Sequence, residues 1–369
     1  MAGALEGAAR CPVGAAPCSG GSTDTQLPTS VERNHRGTNA SRQRETCQRR
    51  GNTLNQAIGI VWNPSKVAEE DLRQAVEVAL ADAASTAEVR WFETTKEDPG
   101  QGATAAALAA GCDLVVAAGG DGTVRAVAEA LGESGTPAAE LGILPLGTGN
   151  LLARNLDVPL GDMPAAFARV LTNSARPLDL GSVRISYADG SEQTHGFVVM
   201  VGFGIDAHMI VETDDDLKAK AGWLAYVESL GRAATETEVV EFSLTLGDGA
   251  AAPEQAHTLL IANCGTIQGG MTLLPDAQPD DGELDLLVLR ADGAADWLDT
   301  MRNMVWDNGL KRLLTGADRA ESSESTEHLR ARTVGVELPH PHAFEVDGDD
   351  FEDVTAFEVR VLPSALRVR

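Results

Sequence analysis

A pair of glycine turns constrains this chain more than any other feature of its sequence. The first turn lies in "VAAGGDGTV" (116–124) and the second in "LPLGTGNLLARNL" (144–156). Each turn follows a short apolar run and precedes a helix-like segment, as in the strand–turn–helix units of α/β domains. In an open parallel sheet, ligands bind outside the carboxyl ends of the strands. The two turns therefore predict an α/β domain with both turns at one crevice.

Strand-like and helix-like segments alternate on the N-terminal side of these turns. "AIGIVWNP", "EVRWFET" and "DLVVAA" have the length and composition of strands, and "AEEDLRQAVEVALADAA" and "GATAAALAAG" have helical character. Strands that are separated by helices of this size pair in parallel through right-handed crossovers. We expect residues 55–178 to form a doubly wound nucleotide-binding domain, preceded by a disordered, polar extension over residues 1–54.

The pattern changes from about residue 179 onward. Strand-like segments are joined there by short polar turns, which predicts a mostly antiparallel, β-rich acceptor domain over residues 179–369, with a last strand that could return to the first domain. The segments are "GSVRISY", "THGFVVMV", "VVEFSLTL", "HTLLIAN", "ELDLLVL", "TVGVEL", "AFEV" and "AFEVRVL". Two helical inserts, at 217–233 and 294–314, carry apolar faces that suit either an acyl chain at a bilayer edge or an ordinary core.

The charge balance limits the partners of the protein. The chain has 29 basic and 55 acidic residues and a net charge of −26, which opposes non-specific binding to nucleic acid or to an anionic membrane. No apolar run approaches the length of a membrane span, and the cysteine usage fits a reducing cytoplasm. We therefore expect a cytoplasmic protein that binds no nucleic acid and meets a membrane only peripherally. A homodimer is compatible with the sequence.

The residues of the two turns suit a nucleotide. Glycines allow backbone N–H groups to approach phosphates, and a helix N-terminus adds a partial positive charge. Asp121 needs a separate explanation because a carboxylate repels phosphates. It could hold Mg²⁺, orient the sugar or the attacking group, or cap the helix that begins at Thr123. The residues assigned to nucleotide binding within the turns are Gly119, Gly120, Asp121, Gly122, Thr123, Gly147, Thr148 and Asn150.

The motifs together resemble the diacylglycerol kinase catalytic family, which includes soluble bacterial lipid kinases and the sphingosine and ceramide kinases. The resemblance covers residues 57–369 and rests on "GGDGT", "PLGTGN", "GFGIDA", "NCGTIQGGMTLLPDAQPDDGELDLLVL" and "VDGD" in the order of the family. It implies an NAD-kinase-like or diacylglycerol-kinase-like architecture of two domains with the active site in the cleft between them. ATP would be the phosphoryl donor and a lipid hydroxyl the acceptor.

The resemblance also implies residue roles outside the two turns. Asn63 of "WNPSK" and Thr94 of "ETT" would line the ATP site, although the second assignment could equally fall on Thr95. In bacterial relatives the turn that reads "PDAQPDDG" in this chain binds Mg²⁺ through one carboxylate and two backbone carbonyls. These ligands would here be Asp281 and the carbonyls of Gln278 and Glu283. Alternatively, the turn is a solvated acidic loop.

The catalytic base of the family is usually the Glu of an Asp-Gly-Glu turn, and this chain has Asp349 at that position. The shorter side chain could displace the carboxylate by about an ångström, which can cost about 10²-fold in rate. Asp350 could serve instead, and "DGDD" could equally be a plain hairpin turn.

The resemblance thus implies an ATP- and Mg²⁺-dependent lipid kinase that converts diacylglycerol to phosphatidic acid at the inner membrane face, with Asp349 as base and Asp121 organising the phosphates or the metal. The alternatives are a kinase for a sphingoid base or for NAD, and a catalytically weak regulator that binds a nucleotide or a lipid.

Overall fold

The structure, a computed structural model, describes residues 57–204, 239–267, 272–290 and 326–369. Within these ranges the chain forms five helices and a sheet of 14 strands. The helices are α1 (Glu69–Asp82), α2 (Gln101–Ala109), α3 (Asp121–Gly132), α4 (Leu151–Asn155) and α5 (Met163–Thr172). The strands are β1 (Ala57–Trp62), β2 (Glu88–Glu93), β3 (Leu114–Gly119), β4 (Glu140–Pro145), β5 (Arg176–Tyr187), β6 (Glu192–Phe197), β7 (Met200–Phe203), β8 (Val240–Leu246), β9 (Ala252–Ala256), β10 (Thr258–Ala262), β11 (Leu284–Leu289), β12 (Thr326–Ala331), β13 (Thr333–Val346) and β14 (Asp349–Val368).

The first four strands are parallel and lie in the order β2-β1-β3-β4. Helices cover both faces of these strands. Leu72 of α1 and Phe167 of α5 are buried on one face, and Ala107 of α2 and Val127 of α3 are buried on the other. Because both faces are covered, β3 can consist of apolar and small residues that are all buried. This is the doubly wound α/β arrangement that the alternation of segments predicts.

The later strands pair antiparallel and enclose a second hydrophobic core. Five buried phenylalanines mark this core: Phe197, Phe203, Phe242, Phe344 and Phe357. Rings of Phe344 and Phe357 lie 4.4 Å apart, across the β13–β14 pair. The predicted fold class, α/β together with mostly antiparallel β, is confirmed.

The end of the chain joins the two halves. Strand β14 pairs along most of its length with β5 and β13, and at its end Val368 pairs in parallel with Leu141 of β4. Ala365 and Leu366 are buried in the core that β3, β4 and α3 share. The first strands thus depend on the last residues of the chain for part of their packing.

Several elements differ from the sequence prediction. Helix α5 and the short strands β9 and β12 were not predicted. "THGFVVMV" forms two strands, β6 and β7, instead of one, and "TVGVEL" and "AFEV" belong to the single strand β13. The helical inserts predicted at 217–233 and 294–314 and the extension predicted over residues 1–54 lie outside the described residues.

Candidate functional site

The candidate site begins where the strand order reverses. The chain passes from β1 to β2 on one side and then to β3 on the other side of β1, so the carboxyl ends of β1 and β3 flank the switch point at which ligands of such sheets bind. The backbone N–H of Asn63 donates to the carbonyl of Ala118 (3.0 Å), and the N–H of Thr94 donates to Trp62 (2.9 Å). The loops after β1, β2 and β3 therefore meet at one edge.

The side chains of Asn63 and Thr94 in these loops are less accessible to a ligand than the sequence suggests. Thr94 is buried, whereas Thr95 is exposed and accepts a hydrogen bond from the N–H of Asp98 (3.1 Å). The Asn63 side chain accepts hydrogen bonds from the backbone N–H and the hydroxyl of Ser65, at 2.9 and 2.7 Å. Asn63 therefore shapes its own turn, and any contribution of Thr94 to a ligand would come from its backbone.

The two glycine turns touch each other. A Cβ atom built on Gly147 would lie 2.7 Å from the Cα atom of Gly120, which is closer than real Cβ contacts allow. Glycine is therefore required at position 147 by the neighbouring backbone. A Cβ atom on Gly120 would lie 3.9 Å from Cε of Lys66, so the lysine of the first loop extends to the same place.

Asp121 links the two turns. One carboxylate oxygen accepts a hydrogen bond from the N–H of Asn150 (2.8 Å) and the other accepts one from the N–H of Leu151 (2.6 Å). Burial raises the pKa of Asp121, and these two N–H donors oppose that rise. Asp121 is itself the first residue of α3, and the helix that its carboxylate caps is α4. Asp121 therefore caps a helix, but this helix is not the one that was predicted to begin at Thr123. That helix, α3, begins at Asp121 itself.

Asn150 explains the shape of the second turn. Its backbone is left-handed (φ 48°), a conformation that asparagine tolerates better than most residues. Its side-chain oxygen accepts from the N–H of Gly147 (2.9 Å), and its amide donates to the carbonyl of Gly147 (2.6 Å). Thr148, at the tip of this turn, is exposed. The second turn is thus closed by protein groups.

The first turn is different, because Gly120 occupies the N-cap position of α3 and offers no side chain to the N–H groups of the first helical turn. Thr123 is buried, with its side chain packed beneath Gly119. The backbone around Gly122 faces open space, since a Cβ built there would meet nothing within 4 Å. An uncapped helix N-terminus of this kind suits a phosphate.

The "VDGDD" segment forms a tight hairpin between β13 and β14. Asp347 and Gly348 both have positive φ (49° and 91°), as a type I′ turn requires, and Asp349 is the first residue of β14. Asp347 is buried and accepts three backbone N–H groups, from Val198 (2.7 Å), Val199 (2.9 Å) and Met200 (2.9 Å). Burial raises the pKa of Asp347 to about 6.

Asp349 lies next to helix α3. Arg125 of α3, one helical turn after Asp121, donates from Nη2 to the carboxylate of Asp349. The imidazole of His195 on β6 packs against the ring of Phe351 (4.7 Å between centroids). Burial and then Arg125 lower the pKa of His195, which favours the neutral imidazole. Arg125 thus ties the predicted base to α3, the helix that follows the first glycine turn.

The acidic turn, residues 276–285, has a different environment from the one the resemblance implies. Arg330 of β12 pairs with Asp281, and its Nη1 and Nε atoms lie 3.2 Å from Glu283 and Asp285. The second oxygen of Asp281 accepts the N–H of Glu283 (3.0 Å). Among the described residues no group of three or more acidic, His or Cys side chains could hold a metal ion. The arrangement therefore does not fit a metal ion at Asp281 while Arg330 is in place, although the carbonyls of Gln278 and Glu283 belong to the same turn.

Comparison with known proteins shows to which family the chain belongs. A family model described as the diacylglycerol kinase catalytic domain matches residues 58–183, and one described as the YegS C-terminal NAD kinase beta sandwich-like domain matches residues 199–369. A protein of Pseudomonas aeruginosa (strain UCBPP-PA14), named "Probable lipid kinase YegS-like", is 33% identical over 311 residues, covering 84% of this chain and 92% of that protein. The chain belongs to the diacylglycerol kinase catalytic family.

Two further relatives agree with this assignment. A protein of Xanthomonas campestris pv. campestris (strain 8004) with the same name is 30% identical over 316 residues, covering 84% of this chain and 94% of that protein. The crystal structure of a diacylglycerol kinase from Bacillus anthracis str. Sterne superposes with a TM-score of 0.58 at 20% identity, over 85% of this chain and 96% of that one. The latter likeness concerns the fold. Membership of the diacylglycerol kinase catalytic family makes the protein an enzyme of the kinase class, as the sequence predicts.

Three residues of the site were missed by sequence reasoning: Arg125, His195 and Asp347. The signal for Arg125 was its spacing of four residues from Asp121, which puts both on one face of α3. Asp347 was considered only as part of the "VDGD" motif and of a possible hairpin turn, and no role was predicted for its side chain. Its contacts to residues 198–200 join parts of the chain nearly 150 positions apart and leave no local pattern.

Proposed function

We propose that the protein is a lipid kinase that transfers the γ-phosphoryl group of ATP, bound as its Mg²⁺ complex, to the hydroxyl group of diacylglycerol and so forms phosphatidic acid. The observation that carries this proposal is the ion pair that holds Asp349 against α3, the helix that begins at a glycine turn packed against a second one. Family membership supports phosphoryl transfer, and the names of the relatives support a lipid acceptor.

The first glycine turn would hold the phosphates. The uncapped N-terminus of α3 and the open backbone at Gly122 supply N–H donors for them, and Lys66 extends towards Gly120 as a point charge. Asp121 would act indirectly, because both of its oxygens are used to hold Asn150 and Leu151. In this proposal Asp121 positions the second turn and does not bind the metal itself.

Asp349 would be the general base. Its carboxylate is about half exposed, so an acceptor hydroxyl can reach it, whereas Asp347 is buried and holds the backbone N–H groups of residues 198–200. The carboxylate takes the proton of the lipid hydroxyl while the oxygen attacks the γ-phosphorus, and ADP leaves with the bridging oxygen. Arg125 fixes the carboxylate in place, which compensates for the side chain being shorter than the usual glutamate.

The acceptor suggests where the protein acts. Diacylglycerol resides in membranes, so we propose that the enzyme works as a peripheral protein at the inner membrane face, as monomer or homodimer. None of the helices in the described ranges is long and apolar enough to cross a membrane.

The test is transfer of labelled γ-phosphate from Mg·ATP to diacylglycerol, a sphingoid base, ceramide or NAD in mixed micelles. The variants are Asp349→Asn and Asp350→Asn, with Glu352→Gln as a matched control further along β14. The proposal expects labelling of diacylglycerol, and a loss of about 10²-fold or more in kcat for Asp349→Asn alone. ATP affinity, measured by calorimetry, should stay unchanged in that variant.

Other results would change the assignment. Labelling of the sphingoid base, of ceramide or of NAD in place of diacylglycerol would identify that molecule as the acceptor. ATP binding without labelling of any acceptor would favour a regulator. A loss of kcat confined to Asp350→Asn would assign the role of general base to Asp350.

A further inference from the structure

We propose that Arg330 is a built-in cation that takes the place of a metal ion at the acidic turn, so that this part of the protein needs no divalent ion. The proposal concerns the structure of the turn and does not rest on the proposed lipid kinase activity. It starts from the disagreement between the metal ligands that the family resemblance implies and the contacts that the turn makes.

The pairing of two strands places Arg330 next to the acidic turn. Strands β11 and β12 pair antiparallel, and Arg330 stands directly opposite Asp285 in the register. From there its guanidinium spans the turn: Nε lies 3.2 Å from Asp285, Nη1 lies 3.2 Å from Glu283, and Nη2 pairs with Asp281. All three nitrogens of the planar group are used, each on a different carboxylate. An arginine suits this task because its donors have a fixed geometry.

Protein groups also hold the backbone of the turn. The N–H of Asp179 donates to the carbonyl of Pro279 (2.7 Å), and the carboxylate of Asp179 accepts the N–H of Gly282 (2.6 Å). Asp281 accepts the N–H of Glu283 (3.0 Å) with its other oxygen. The backbone path of the turn is therefore closed by Asp179 and Asp281, and a metal ion is not required to close it.

Asp281 cannot bind both the guanidinium of Arg330 and a divalent metal ion well. A divalent ion on Asp281 would lie within a few ångströms of the guanidinium, and the repulsion between them is substantial near a protein surface. Arg330 would have to leave three carboxylates to admit the ion, and one of these, Asp285, has a side chain that is only 7% exposed. Loss of a charge partner from a buried carboxylate is costly. The arginine therefore excludes the metal ion under ordinary conditions.

The test is thermal unfolding of the full chain after dialysis against EDTA, without nucleotide, with and without MgCl₂ or CaCl₂ at matched ionic strength. For the wild-type protein we expect the Tm to change by no more than about 1 °C on addition of either salt. Arg330→Gln should lower the Tm by about 2–6 °C, because three carboxylates lose their partner. Either divalent ion should restore part of that loss.

Two controls locate the effect. Arg184→Gln removes an arginine that pairs with Glu358 between β5 and β14, and the Tm of this variant should not respond to divalent ions. In the double variant Arg330→Gln/Asp281→Asn the rescue by divalent ions should disappear.

The proposal is overturned if the EDTA-treated wild-type protein gains stability with Mg²⁺ or Ca²⁺ and Asp281→Asn abolishes the gain. It is also overturned if Arg330→Gln folds and shows no rescue by either ion. Should Arg330→Gln fail to fold, the comparison of wild type with Asp281→Asn still decides the question.

Discussion

Arg125 and Asp349 form an ion pair that joins helix α3 to the first residue of β14, across 224 positions of sequence. The Arg125 side chain is only 9% exposed, and its Nε and Nη1 atoms are buried without a hydrogen-bond partner among the described residues. The buried guanidinium therefore depends on the charge of Asp349, and Asp349 is held against α3 in return.

We predict that Arg125→Met lowers kcat by about 10²-fold, because a base displaced by about an ångström loses that much rate. The Nη2 atom of Arg125 is used by Asp349 and not by the first glycine turn, so the KM for ATP should change much less than kcat. The measurement is steady-state lipid phosphorylation in mixed micelles. Arg184→Met, which breaks the exposed pair between Arg184 and Glu358, is the matched control and should keep its activity.

A double-mutant cycle separates positioning from a general loss of stability. If Arg125 acts through Asp349, adding Arg125→Met to Asp349→Asn should cost little further activity. Additive losses in the cycle would contradict the positioning role and make Arg125 an independent contributor.

Asp121→Asn should weaken ATP binding by about tenfold or more, because an amide has one acceptor oxygen where the carboxylate satisfies two N–H groups, and charge-assisted bonds are the stronger kind. The second turn, released from Asp121, would no longer rest against Gly120. Calorimetric titration of ATP measures this effect. Asp162→Asn is a suitable control. Asp162 caps helix α5 by accepting one hydrogen bond from the N–H of Ala165, and asparagine can accept the same hydrogen bond. Equal ATP affinity for Asp121→Asn and wild type would mean that the turn does not need this link.

The sequence predicts well where the signal is local. Strands β1 to β4 and helices α1 to α3 follow from apolar runs, helical spacing and glycine turns, each of which lies within about 15 residues. Helix α5 was missed although it carries a local signal, with Asp162 as N-cap and a proline in its first turn.

The rest of the site depends on contacts between distant parts of the chain. "THGFVVMV" has the pattern of one strand, but the chain leaves the ladder at Val198 and Val199 because their N–H groups bind Asp347. Likewise, nothing near Asp281 in the sequence indicates that an arginine 49 positions later will pair with it. Periodicity cannot reveal such pairs, since it reports only which face of an element is buried.

The buried carboxylate of Asp347 makes stability depend on pH. Burial raises its pKa to about 6, above the value near 4 of an unfolded chain. The folded state therefore holds a proton that the unfolded state has lost between these values, so this contribution to stability is complete below about pH 4 and is lost as the pH rises through about 6. The loss amounts to about 3 kcal/mol.

Asp347→Asn tests this dependence, because an amide does not titrate. Between about pH 4 and 7 the free energy of unfolding of the wild-type protein should fall relative to that of the variant, and above this window the difference should be constant. Urea unfolding at a series of pH values gives both curves. Asp285, whose pKa is also raised to about 6 by burial, is present in both proteins and cancels in the comparison. Parallel curves for the two proteins would show that Asp347 stays ionised in the fold.

Asp179 should be among the side chains most important for stability. It is 1% exposed, and its carboxylate accepts the N–H groups of Gly282 and Ser364, both at 2.6 Å, so it ties β5 to the acidic turn and to the irregular part of β14. We predict that Asp179→Ala lowers the free energy of unfolding by about 2–4 kcal/mol, because two backbone N–H donors lose a charged acceptor that is itself buried. Urea unfolding measures the loss, with Asp189→Ala as control. Asp189 accepts hydrogen bonds from the backbone N–H and the hydroxyl of Ser191 within an exposed hairpin turn, so its removal should cost little. Equal losses in the two variants would mean that the link through Asp179 contributes no more than an ordinary surface turn.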